Sequence, residues 1–138
     1  MNDSYFLDTN IFVYSFENSP KGKVAKELIA NGLVSQKAKI SYQVVQEFIN
    51  VSTRKFQEPL TKIDLRAYVT DVLQPLWVVY SSAQLVKSAL DITERWKFGF
   101  YDALIIASAL EASCPVLFSA DLQHGQKIYE LEIINPFI

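Results

Sequence analysis

Short apolar runs alternate along this chain with segments of helical period. Tyr5-Phe6-Leu7 reads as a buried strand that turns at Asp8-Thr9-Asn10, and the aromatic, β-branched stretch Ile11 to Phe16 falls on a short helix after the turn. Past Pro20, Val24, Ala25, Leu28, Ile29 and Leu33 recur at helical spacing with lysines on the other face, which predicts a helix over Lys21 to Ser35. Ala38 to Ser41 predicts a second strand and Tyr42 to Phe56 a helix. The inward stripe of that helix is Val44, Val45, Phe48 and Ile49, widened by Val51, with Glu47 at its edge. Thr61 and Asp64 open a further helix through Leu73 in capping-box fashion, and Pro75 is expected to stop it. Trp77 to Tyr80 is β-rich, and Ser82 caps a helix from Ala83 to about Trp96. After Gly99, a helix over Tyr101 to Ser113 carries Ala103-Leu104-Ile105-Ile106-Ala107, apolar on all sides as in a helix enclosed by the domain. Pro115 begins the next strand, and Glu132 to Phe137 makes the last.

Strands alternating with helices imply an α/β fold with parallel pairing and right-handed crossovers. At 138 residues the chain is read as one domain, residues 1–138, able to bury a single sizeable core. Half of it is hydrophobic and a fifth charged, which argues against disorder. The formal charge of −2 gives no global positive field, so a nucleic-acid substrate has to be gripped locally or through bound metal. Cys114 is the single cysteine, which rules out an intrachain disulfide and suits a reducing compartment. It precedes Pro115 at the mouth of an apolar strand, the setting of a buried, inert thiol. Without a basic leader or an apolar run of ~18 residues, the expectation is a soluble, cytoplasmic protein with no membrane partner.

Four acids carry the chemistry. Asp8 follows the first strand and Asp121 follows Val116-Leu117-Phe118-Ser119-Ala120, so both stand past the carboxyl end of a buried strand, where open α/β sheets bind ligands. Glu47 and Asp102 lie on helices that could border the same crevice. If the four meet, their repulsion calls for a cation, and hard divalent ions prefer oxygen ligands. Each acid also has a plain structural reading. Asp8 and Asp121 suit turns or caps, Glu47 a solvated helix face, and Asp102 the positive end of a helix dipole. Thr9 suits a cap as well as a site. Asn10 could contact a phosphate or a metal-held water, and Ser119 could hydrogen-bond a carboxylate or phosphate, or simply start the turn. His124, the one histidine, ranks below the acids as a functional group. No phosphate-loop, dinucleotide, nucleophile-elbow or zinc motif competes.

Taken together, Phe6-Leu7-Asp8-Thr9-Asn10-Ile11, Ser41-Tyr42-Gln43-Val44-Val45-Gln46-Glu47-Phe48, the run Tyr101 to Ala109 and Ser119-Ala120-Asp121-Leu122-Gln123-His124-Gly125 resemble the PIN-domain family, and within it the VapC-type toxin ribonucleases. The resemblance implies a three-layer α/β/α sandwich with roughly five parallel strands. It maps the family's acidic centre, which binds Mg²⁺ or Mn²⁺, onto Asp8, Glu47, Asp102 and Asp121, with Asn10 and Ser119 as accessory polar positions. His124 stands where many relatives carry another acid, a departure that bears on a second metal.

The reaction this implies is hydrolysis of an RNA phosphodiester bond by metal-activated water, leaving a 5′-phosphate and a 3′-hydroxyl. Arg54-Lys55 and Arg95-Trp96-Lys97 could track a phosphate backbone, and Tyr42, Phe98, Phe100 and Tyr101 could stack on bases, though each also reads as solvated charge or core. The resemblance further implies a homodimer held inactive by a cognate antitoxin. Val13 to Phe16 and Phe56 to Tyr68 are the candidate partner surfaces. Two readings compete. A phosphatase of haloacid-dehalogenase type wants a second aspartate where Asn10 stands. A non-catalytic module would use the acids to bind a basic peptide.

Overall fold

The structure is a computed structural model and describes residues 2–138. The chain runs β1 (Tyr5–Leu7), α1 (Thr9–Tyr14), α2 (Pro20–Ser35), β2 (Ala38–Ser41), α3 (Tyr42–Arg54), α4 (Lys62–Tyr68), a π-helical stretch (Val69–Leu73), α5 (Gln74–Leu76), β3 (Trp77–Val79), α6 (Ala83–Trp96), α7 (Phe100–Glu111), β4 (Val116–Phe118), β5 (Lys127–Ile128) and β6 (Leu131–Ile134). This is the expected α/β/α arrangement. Helix starts follow the capping rule: the hydroxyls of Ser19, Thr61 and Ser82 accept from the amides of Gly22, Asp64 and Leu85.

The strands form one sheet in the order β3-β2-β1-β4-β6-β5. Pairings β1–β2, β1–β4, β2–β3 and β4–β6 are parallel. The expectation of roughly five parallel strands therefore needs one correction. A sixth strand of 2 residues, β5, pairs antiparallel with β6. Its connection is a tight turn in which Tyr129 adopts φ 53°, a left-handed conformation that no local sequence signal announced.

A second correction concerns Pro75. It does not end the helical run but sits in the first turn of α5, directly after the π-helical stretch. A proline inside a regular helix removes one hydrogen bond and crowds the carbonyl four residues back, and the widened turn accommodates that conflict. The last strand also begins one residue earlier than predicted, at Leu131, and ends at Ile134, ahead of Asn135-Pro136.

The strands supply the centre of the core through Phe6, Leu7, Ile40, Leu117 and Ile133, all fully buried. Helix α7 adds Ala103, Ile106 and Ala109, likewise fully buried, as its all-round apolar sequence requires. Cys114 is free and buried, and burial pushes its thiol up, so it behaves as core. The chain runs from β1 to β2 and β3 on one side, then crosses to β4 on the other. The crevice at such a reversal, outside the carboxyl ends of the strands, is where this class of sheet places ligands.

Candidate active site

The β1–β4 ladder continues one bond past the strand end, the Asp8 amide donating to the Phe118 carbonyl at 3.0 Å. Asp8 then turns extended (φ −70°, ψ 160°) and becomes the N-cap of α1. Its Oδ1 accepts from the Thr9 amide at 2.7 Å, and its Oδ2 accepts from the Ser119 hydroxyl at 2.9 Å. Ser119, fully buried just past β4, also accepts from the amides of Asp121 and Leu122 at 3.2 and 3.3 Å. Asn10 Oδ1 accepts from the Ala120 amide at 3.1 Å. One hydroxyl and one side-chain amide thus sew the end of β1 to the end of β4.

Glu47 joins from α3. Its Oε1 accepts from the Thr9 hydroxyl at 2.6 Å and its Oε2 from the Gln43 amide at 3.2 Å. The same Gln43 nitrogen donates to the Tyr101 carbonyl at 3.1 Å, which links α3 to the first turn of α7 beside Asp102. Asp102 and Asp121 themselves are exposed.

Electrostatics follow from burial. Desolvation pushes the Asp8 carboxyl from its ordinary 3.8 to about 7, against the lowering effect of the Ser119 and Thr9 hydrogen bonds, and the charges of Glu47 and Asp121 push it further the same way. The Asp102 carboxyl is also raised, first by partial burial and then by the charge of Asp121. Asp8 therefore feels the charges of Glu47 and Asp121, and Asp102 that of Asp121. The side chains as they stand bring no group of three or more His, Cys, Asp or Glu residues within ion-holding reach, among the described residues.

The donor set nevertheless fits a hard divalent cation. Every candidate ligand is oxygen, and the innermost carboxylate is buried beside the negative charges of Glu47 and Asp121. Asn10 Nδ2, buried with no partner, is a donor and suits a water or phosphate oxygen rather than the cation itself. An open cleft of about 530 Å³ lies against these groups, lined in part by Thr9, Asn10, Glu47 and Asp121.

Several flanking expectations change. Arg95 lies over the rings of Trp96 and Tyr129, 5.3 and 5.7 Å from their centroids. Tyr129 borders Asn2, Ser113 and Pro115, which lead into β1 and β4, so this cation sits at the sheet edge opposite the acids. Phe98 and Phe100 pack against the core, whereas Tyr101 is 70% exposed beside Asp102. Tyr42 is 40% exposed and stacks on Trp77. His124 is exposed, and its Nδ1 accepts from the Asn135 amide at 3.0 Å, a structural tie. The sequence reading missed Gln43 as a site residue. The available signal was its position four residues before Glu47, one helical turn away on the same face.

The family model described as PIN domain matches residues 5–127. Solved structures with a similar fold include a toxin-antitoxin complex from Klebsiella pneumoniae, with 18% identity, coverage of 96% of this chain and 98% of the other, and a TM-score of 0.69. The sarcin-ricin-loop-cleaving toxin VapC20 of Mycobacterium tuberculosis is similar at 20% identity, 86% and 92% coverage and a TM-score of 0.61. VapBC-1 from nontypeable Haemophilus influenzae is similar at 23% identity, 96% and 97% coverage and a TM-score of 0.62. No curated protein sequence matches this chain significantly.

Proposed function

The chain belongs to the PIN-domain family, and from that premise we propose that it is a metal-dependent endoribonuclease, the toxin of a type II toxin–antitoxin pair. The observation that carries this reading is Asp8. It is a buried carboxylate fixed at both oxygens, at the reversal point of the sheet, with the charges of Glu47 and Asp121 acting on it.

Asp8 and Asp121 would be the main ligands of a Mg²⁺ or Mn²⁺ ion, with Glu47 and Asp102 completing the set. The chemistry such an ion supplies when bound is Lewis acidity and compact positive charge. The rest falls to the chain. Ser119 and the Thr9 amide fix the Asp8 oxygens, and Asn10 fixes the loop that carries Asp121. Thr9 and Gln43 orient Glu47. Asp102, exposed at the rim with a raised carboxyl, is suited to accept a proton from an attacking water. Tyr101 beside it offers an exposed face for an unpaired base. Arg54 and Lys55 at the end of α3 remain as local cations for the backbone.

Similar folds occur in toxin-antitoxin complexes, which supports an antitoxin partner for this chain, and a homodimer belongs to the same proposal. A second cleft of about 680 Å³, lined by Phe16, Phe56 and Leu60, adjoins the acidic one through Val13 and Glu17. An antitoxin segment with apolar anchors there and a basic end would reach the carboxylates and compete with the metal. No described helix is long and apolar enough to cross a membrane, and RNA as substrate is in keeping with a cytoplasmic site of action. The phosphatase alternative loses support because Asn10, where its second acid belongs, is engaged with the Ala120 amide.

The test is cleavage of structured RNA by the purified protein with Mg²⁺ or Mn²⁺ and with EDTA. We expect cleavage only with metal and none from Asp8→Asn. Cleavage that persists in EDTA, or in Asp8→Asn, overturns the metal mechanism, and no cleavage under any condition favours the non-catalytic module.

A further inference from the structure

Gln43 is 8% exposed, yet its carboxamide is only half satisfied. The two acceptors on one side of it, Glu47 Oε2 and the Tyr101 carbonyl, cannot donate, so the amide has a single admissible orientation with Nε2 toward them. Oε1 must then face the other way, where it is buried without a partner. Gln43 and Ser41 also border a small, largely apolar cavity of about 80 Å³, together with Gln46, Val79, Leu85 and Leu104. Ser41 is 2% exposed, and its hydroxyl is also buried without a partner. A buried amide nitrogen that bridges two separate elements fixes them relative to each other.

What Nε2 joins makes this concrete. Glu47 has no backbone partner; its carboxylate is held by Thr9 on the Asp8 side and by Gln43 on the Asp102 side. Because Gln43 also grips the Tyr101 carbonyl, it fixes Glu47 relative to the helix that carries Asp102, two elements that are far apart in sequence. We propose that Gln43 is a positioning residue, which locks the Glu47 carboxylate and couples α3 to the mouth of α7 so that the acidic cleft is preformed for a divalent cation. This inference rests on the reading of the cleft as a metal-dependent nuclease site.

The test compares wild type, Gln43→Leu and Gln46→Leu. Gln46, exposed on the same helix, borders the small cavity but does not line the acidic cleft, and serves as the control. Leucine keeps the bulk of Gln43 and removes its unpaired oxygen, so the thermal midpoint of Gln43→Leu should stay within a few degrees of wild type. Mn²⁺ affinity, read by electron paramagnetic resonance, should fall ~10–100-fold, the usual effect of removing a group that orients a ligand. RNA cleavage should lose kcat at near-constant KM, and raised Mn²⁺ should restore part of it. Gln46→Leu should match wild type throughout. Unchanged Mn²⁺ affinity and kcat in Gln43→Leu overturn the positioning role, and so does a loss of kcat that tracks a lowered midpoint with Mn²⁺ affinity intact. If wild type itself binds no Mn²⁺, the nuclease reading fails first, and the role assigned here fails with it.

Discussion

The two sides of the acidic cleft are built by different means. On the strand side, Asp8 and Ser119 are buried, and short bonds to neighbouring backbone and to each other fix them. On the helix side, Glu47 is held only by two side chains, and Asp102 stands exposed. The strand side therefore stores the electrostatic cost of the site and resists rearrangement. The helix side is cheap to form and easy to perturb. A cleft divided this way has one rigid anchor and adjustable arms, as the proposed metal site would require.

The contrast breaks most sharply at Asp8. Asp8→Asn should lower RNA cleavage at least ~10³-fold, because an anchor for transition-state charge is lost, while the protein stays folded. The same variant should be more stable than wild type at pH 8 without metal, which thermal melts measure directly.

The next largest effect is pH dependence of the metal-free protein. Folded Asp8 titrates near 7 against an ordinary 3.8, so between those values the folded state binds the proton and the unfolded state does not. Stability is then fully present below about pH 4 and is lost as pH rises through 7, by an amount on the order of 4 kcal/mol at most. Urea melts across this window should show the fall in wild type, a flatter profile in Asp8→Asn, and recovery with added Mn²⁺ at high pH. A wild-type profile as flat as that of the variant would remove the buried-charge account.

Ser119→Ala comes third. It deprives Asp8 of a donor and leaves the amides of Asp121 and Leu122 without their acceptor, for a loss of ~1–3 kcal/mol in denaturant melts. Asp102→Asn sharpens the comparison from the other side. An exposed residue at the rim should change stability by no more than ~0.5 kcal/mol, yet it should lower kcat by roughly tenfold or more.

Much of this was legible in the sequence because the informative positions combine period with punctuation. Tyr5-Phe6-Leu7 followed by Asp8, and Val116-Leu117-Phe118 followed by Ser119, announce strand ends with polar cargo, and the β1–β4 pairing brings those two ends together. Ser82 and Thr61 announced helix starts because a hydroxyl at that position satisfies amides that otherwise have no partner. What stayed hidden depends on partners distant in the chain. Strand β5 has 2 residues and exists because β6 returns alongside it, so no periodicity could reveal it. The π-helical stretch is a local adjustment to Pro75, whose effect reads equally well as a stop. Gln43 looked like an ordinary helix residue because half of its meaning lies in a carbonyl 58 positions later. Arg95 looked free because its aromatic neighbour Tyr129 arrives from a separate turn.

The bond between Ser119 and Asp8 spans 111 positions, and β1 lies at the middle of the sheet with β4 beside it. During translation the first strand is made long before its neighbour leaves the ribosome, and until then one wall of the crevice does not exist. Under the proposed nuclease reading, a growing chain has no complete cleft until synthesis has passed Asp121, and chains halted upstream of Val116 should express without toxicity.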